Sequence, residues 1–194
     1  MKKAFSFYLV VLFTLLNSQT KKDTLFLEKN KYHRIFIEKN KLSNYYNSIL
    51  DFKEFEQGDS TKKIESFDIK HRWLRVYQYE NNYFLYVPCD WMYDLKYVID
   101  DDKIQIKSAE ISSFRIYSIK RKKDEIFIKY KIPNSKKKEL IIVKPVDKSL
   151  GVFKFISVNG GVTNEYFMIN AENYKSFDII VNKCIEKTNE FDFK

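Results

Sequence analysis

Trp73, Arg75, Tyr77 and Tyr79 alternate along the chain with Leu74, Val76 and Gln78. In a strand, alternate side chains point the same way, so the four odd positions share one face. Tyr83, Phe84, Tyr86, Trp91, Met92 and Tyr93 follow just beyond a polar Glu80-Asn81-Asn82 turn. Tryptophan and tyrosine combine a large apolar area with a polar handle, so clusters of them serve ligand pockets and protein interfaces. The candidate binding residues are therefore Trp73, Tyr77, Tyr79, Tyr86 and Trp91. The competing use of the same residues is sheet packing. Cross-strand aromatic pairs stabilise sheets generally, and the whole chain is 17% aromatic.

Other chemistry has less support. His33 and His71 are the only histidines, each beside an arginine, and no HxH or HxxxH spacing occurs, so no metal site is expected. Both read as surface or strand-end residues. No nucleophile elbow, zinc-protease or phosphate-loop pattern is present, and four glycines cannot build a phosphate cradle. Asp100-Asp101-Asp102 lacks the alternating ligands and the glycine of a calcium loop, and reads as a solvated turn. Glu80, Asp90, Asp94 and Glu165 could supply an acid pair for hydrolysis, but nothing in their spacing selects two of them. No cofactor is implied, and an enzyme is the less favoured reading. Cys89 and Cys184 leave two alternatives open: a disulfide closing a long loop, or two buried free thiols.

The formal charge of +9 suggests an anionic partner, but of 35 basic residues only Arg34, Arg72, Arg75, Arg115 and Arg121 are arginine. Paired contacts to phosphate or guanine favour arginine's planar fork. The lysines are scattered, and they accompany Asn, Ile, Phe and Tyr as A/T-rich codons would dictate. The densest runs, 120–123 and 136–138, fall in successive turns of a meander, at opposite ends of its strands. No nucleic-acid partner is expected.

The first residues carry the most specific signal. Met1-Lys2-Lys3 is positive, Ala4 to Leu16 is uncharged and apolar, and Asn17-Ser18-Gln19-Thr20 is polar. This is the pattern of a secretory signal peptide, residues 1–19, with cleavage after Ser18 or Gln19. As a helix the apolar run spans only about 20 Å, short of the roughly 30 Å bilayer core. No transmembrane span is expected after cleavage. The expected compartment is periplasmic or extracellular.

The elements that must position these residues are mostly strands. Short runs rich in Ile, Val, Phe and Tyr alternate with polar turns from Thr24 to Ile169. They include Ile64–Ile69, Trp73–Tyr79, Tyr83–Pro88, Glu125–Ile132 and Glu139–Lys144. Val152–Val158 and Glu165–Ile169 flank Asn159-Gly160-Gly161, whose glycines supply the positive φ of a hairpin turn. Eleven or twelve strands in adjacent hairpins predict a mainly β fold. An antiparallel meander of that size closes into a barrel or folds into a two-sheet sandwich, because an open edge invites aggregation. A 3.6-residue period at Tyr45, Tyr46, Ile49, Phe52 and Phe55 predicts a helix over residues 42–56. A weaker one at Tyr174, Phe177, Val181 and Cys184 suggests a second over 172–187, although Ile179-Ile180-Val181 is strand-like. Residues 20–194 are expected to form a single domain. In outline this order of elements resembles the lipocalins, but the Gly-x-Trp expected near their first strand is missing, so no residue roles are carried over.

The expected function is a non-catalytic binding or interaction module of the cell envelope, with a small apolar ligand or an envelope protein as partner. The alternatives are an exported hydrolase using an acid pair, or an inhibitor or immunity-type protein acting through one flat face.

Overall fold

The computed structural model describes residues 27–30, 33–55, 69, 71–90, 94–133, 138–184 and 190–193. Among them are twelve strands. They are β1 (Leu27–Asn30), β2 (His33–Glu38), β3 (Arg72–Tyr79), β4 (Asn82–Val87), β5 (Lys96–Ile99), β6 (Lys103–Lys107), β7 (Ile111–Lys122), β8 (Glu125–Lys131), β9 (Lys138–Asp147), β10 (Val152–Asn159), β11 (Val162–Asn170) and β12 (Asp178–Cys184). In β8, Ile126, Ile128 and Tyr130 are buried while Lys129 and Lys131 face water, the period of two that a half-buried strand requires.

The hairpin turns follow their chemistry. Gly160 and Gly161 have φ of +57° and +89° between the paired residues Asn159 and Val162. Glu80 and Asn81 make the corresponding turn between β3 and β4, with φ of +46° and +65°. Positive φ at both central residues matches the twist of the flanking strands. Pro145 sits in β9 beside a bulge against Val152 and Phe153, where a missing N–H is tolerated.

Strands β5 to β11 run as consecutive antiparallel hairpins, and β3 closes them into an eight-stranded barrel. It pairs with β11 over Trp73–Val76 and with β5 over Arg72–Leu74. The remainder of β3, Tyr77–Tyr79, leaves the barrel and pairs with β4. From there a second sheet extends in the order β3-β4-β12-β2-β1. Its β4–β12 pair is parallel; the others are antiparallel.

The barrel interior is filled with side chains, as eight strands allow. Trp73, Tyr97, Ile104, Ile128, Phe155 and Met168 are among the residues packed there. One face of the second sheet packs Leu85, Ile179 and Val181 against Tyr46, Ile49, Phe52 and Phe55. Its other face packs Ile35, Tyr86 and Ile180 with Tyr77, Tyr79, Phe191 and Phe193.

The helices are shorter than their periodicity suggests. Helix α1 covers Asn44–Ile49 only. Phe52 and Phe55 are buried as predicted but from turns, their rings 5.3 Å apart. The Asp51 side chain accepts from Lys53 N at 3.1 Å, a local turn that competes with helix continuation. The second expected helix is a 3-10 turn, Ala171–Ser176, with Asn170 capping Glu172 N at 3.0 Å. From Asp178 the chain is strand β12. Its Ile179-Ile180-Val181 run is buried on both faces of the second sheet, which suits β-branched side chains and leaves no polar alternation to read. Residues 1–26, and with them the signal-peptide expectation, lie outside the described residues, as does the predicted strand at 64–68.

Candidate functional site

The odd-numbered face of β3 changes surroundings along its length. Trp73 lies inside the barrel, 2% exposed, against Phe153 and Phe155 at 5.4 and 5.0 Å between ring centroids. Its Nε1 donates to the Ile69 carbonyl at 3.1 Å. Arg75 pairs across from Met168, whose side chain fills the barrel, so Arg75 occupies the barrel rim. Beyond the rim, Tyr77 and Tyr79 lie on the outer face of the second sheet. The structure thus brings Tyr77, Tyr79 and Tyr86 together and places Trp73 elsewhere, as core. Trp91 lies outside the described residues.

The aromatic cluster is completed by a segment that sequence reading did not single out. Phe193 stacks on Tyr77 at 4.2 Å and meets Tyr86 edge-on at 4.9 Å, while Phe191 meets Tyr79 at 5.3 Å. Tyr77 and Tyr86 are themselves 5.3 Å apart. Burial pushes the Tyr77 hydroxyl up to about 12. It also pushes Tyr86 upward, reinforced by the hydrogen bond from Tyr86 to the neighbouring Glu190 carboxylate.

Glu190 anchors this segment. Its carboxylate accepts from Asp90 N at 2.6 Å, Cys89 N at 3.2 Å, Asn182 Nδ2 at 3.1 Å and the Tyr86 hydroxyl. The Tyr86 oxygen accepts in turn from Phe191 N at 3.0 Å. His33, buried at the start of β2, bonds through Nε2 to Asn182 Oδ1 at 2.7 Å. Cys89 and Cys184 are joined in a disulfide, with Cα atoms 5.7 Å apart. Of the two alternatives for the cysteines, the bridge is the one present. Every member of this node has a structural partner.

Above the cluster lies an open groove of about 620 Å³, walled by β3 residues 75–79 on one side and Glu165, Tyr166 and Phe167 of β11 on the other. Phe193 forms part of its wall. The Arg75 guanidinium sits between two rings, 4.2 Å from Tyr77 and 4.8 Å from Tyr166. Among the described residues it makes no ion pair or hydrogen bond. Its five donors are held in place by stacking and left available to a ligand.

No family model, curated protein or solved structure matches this chain. The site's geometry therefore stands on its own.

Of the acids weighed for hydrolysis, Glu80 and Glu165 both line this groove, while Asp90 and Asp94 lie outside its lining. Asp94 pairs with buried Lys96 at 3.0 Å, and Glu165 with Lys154 at 2.9 Å. Asp90 lends its N–H to Glu190, and Glu80 lies in the β3–β4 turn at the groove's edge. Among the described residues no group of three or more His, Cys, Asp or Glu could hold a metal ion. A second groove, of about 730 Å³, lies between the end of α1 and Arg72. The chain leaves it at Phe55 for residues outside the described set.

Proposed function

We propose that this protein is an exported, non-catalytic binding module of the cell envelope, and that it binds through the groove between β3 and β11. The observation that carries this reading is Arg75, stacked between Tyr77 and Tyr166 with its donors unused, in a groove open to solvent. Arginine and tyrosine are the residue types that dominate binding energy at interfaces. The packed barrel interior directs a ligand to the surface rather than into the barrel. Export is supported by the leader pattern in residues 1–19 and is compatible with the Cys89–Cys184 bridge, since disulfides persist in oxidising compartments.

The test is equilibrium binding of the purified oxidised protein to four probes. They are phosphatidylethanolamine–phosphatidylglycerol vesicles, soluble cell-wall glycan fragments, a hydrophobic dye and a displayed random-peptide library. Binding of at least one, weakened tenfold or more by Tyr79→Ala or Arg75→Met, supports the proposal. Failure of all four, or binding indifferent to both substitutions, refutes it. The mass of the exported chain checks the compartment: a product lacking residues 1–19 is expected, and an intact chain retained in the cytoplasm contradicts export.

A further inference from the structure

Two strands run on past the point where they stop pairing. The β3–β11 ladder ends at Val76 opposite Phe167, yet β3 continues to Tyr79 and β11 begins at Val162. Beyond the ladder β3 swings to β4, while β11 stays paired with β10 from Val162 to Ile169. One edge of β11, Val162 to Tyr166, is therefore without a strand partner among the described residues. Val162, Thr163, Asn164 and Glu165 are exposed, Val162 at 61%. Five residues of strand span roughly 17 Å at about 3.3 Å per residue. Unpaired N–H and C=O groups on such an edge are a template for another extended chain.

The same fork holds the free guanidinium. Arg75 sits where the ladder opens, one residue from its last pair, and Tyr166 of the unpaired edge supplies one of the two rings that fix it. A chain laid along β11 runs past Arg75. Backbone hydrogen bonds to a sheet edge give affinity with little sequence demand, and alternate side chains supply specificity. The side-chain group that complements a rigid, unpaired guanidinium is a carboxylate, bound through two parallel charge-assisted bonds.

The geometry points to β-strand addition: an extended peptide segment of a partner protein pairs with the Val162–Tyr166 edge of β11 and places an Asp or Glu carboxylate on Arg75. This inference rests on the groove being the binding surface. It adds the class of partner and the mode of its recognition.

The test starts from a displayed random twelve-residue peptide library panned on the full oxidised protein. Enriched sequences are expected to share an Asp or Glu flanked by β-branched or aromatic residues. For a synthetic peptide from that set, replacing the acid by its amide is expected to weaken binding tenfold or more, a comparison that needs no protein variant. Arg75→Met should give the same loss and no further loss with the amide peptide. Hydrogen exchange should slow at the amides of Val162–Tyr166 on binding. Peptides that bind without needing the acid, or that protect another segment, overturn this inference while leaving a binding module standing. An unenriched library overturns it too. Whether the broader reading falls with it is then decided by the vesicle, glycan and dye measurements.

Discussion

Replacing Cys89 and Cys184 together by serine is expected to lower stability by about 2–5 kcal/mol, and the structure says why the value belongs near the top of that range. The two cysteines are 95 residues apart in sequence. In the chain-entropy account, opening a loop of that length releases about 4.7 kcal/mol of unfolded-state entropy at 25 °C. The native state should lose little to offset or enlarge this. The bridge ties the ends of β4 and β12, and those strands already pair in parallel, Phe84–Val87 with Asp178–Val181. Glu190 still holds the Cys89 N–H whether the sulfur is bonded or not. The effect therefore sits in the unfolded chain, which expands when the link is cut. Urea unfolding, followed by far-ultraviolet circular dichroism and by the fluorescence of buried Trp73, should show a lower midpoint and a larger m value for the serine variant. Chemical reduction of the unmodified protein should give the same curve. A loss below about 1 kcal/mol, or an unchanged m value, would refute the reasoning, because either result means the link does not constrain the unfolded ensemble.

Two further outcomes follow from the packing. Trp73→Ala should cost about 3–5 kcal/mol in urea unfolding followed by far-ultraviolet circular dichroism alone, because it empties a fully packed position in the barrel. A cost under about 1 kcal/mol would mean that the barrel interior is looser than the contacts of Trp73 with Phe153 and Phe155 imply. The second outcome concerns alkaline pH. Burial pushes the folded Tyr77 hydroxyl from its ordinary 10.0 up to about 12. The stability linked to it is complete below pH 10 and is lost as pH rises toward 12, by about 1.4 kcal/mol per pH unit across that window. Tyr86 and Tyr97 are also raised by burial and add to the same direction. Urea midpoints measured from pH 9 to 12 should fall, less steeply in Tyr77→Phe. A flat profile would contradict the burial of these rings.

Most of the barrel was legible because its signals are local. Two-residue turns such as Gly160-Gly161 need particular backbone angles, and strands such as β8 are wet on one side, so alternation survives. Strand β12 was ambiguous for the opposite reason. It lies between β2 and β4 with both faces covered, so Ile179, Ile180 and Val181 are all apolar and the pattern carries no period. Alternation along β3 does put Tyr77 and Tyr79 on one face. What alternation does not encode is where a strand leaves one sheet for another. That junction, between Leu74 paired to β5 and Tyr77 paired to β4, separates the buried Trp73 from Tyr77 and Tyr79. Phe191 and Phe193 carry no such signal, because a single Phe-Asp-Phe alternation is too short to stand out in a chain that is 17% aromatic.

The fork is a consequence of strand length. An eight-residue β3 serves the barrel only over its first half, and its second half starts the neighbouring sheet. When β3 turns away, β11 has no further strand partner among the described residues, and an exposed edge remains on a barrel whose closure otherwise removes edges. Such an edge is an aggregation hazard, and proteins usually blunt it with prolines, inward charges or a covering loop. Here the open stretch Val162–Tyr166 has no proline, and its one charge, Glu165, is paired with Lys154 of the adjacent β10. Across the opening, on β3, Arg75 makes no ion pair among the described residues. A lone cation beside an edge discourages pairing with basic or apolar strands and favours pairing with acidic ones, which is selection rather than closure.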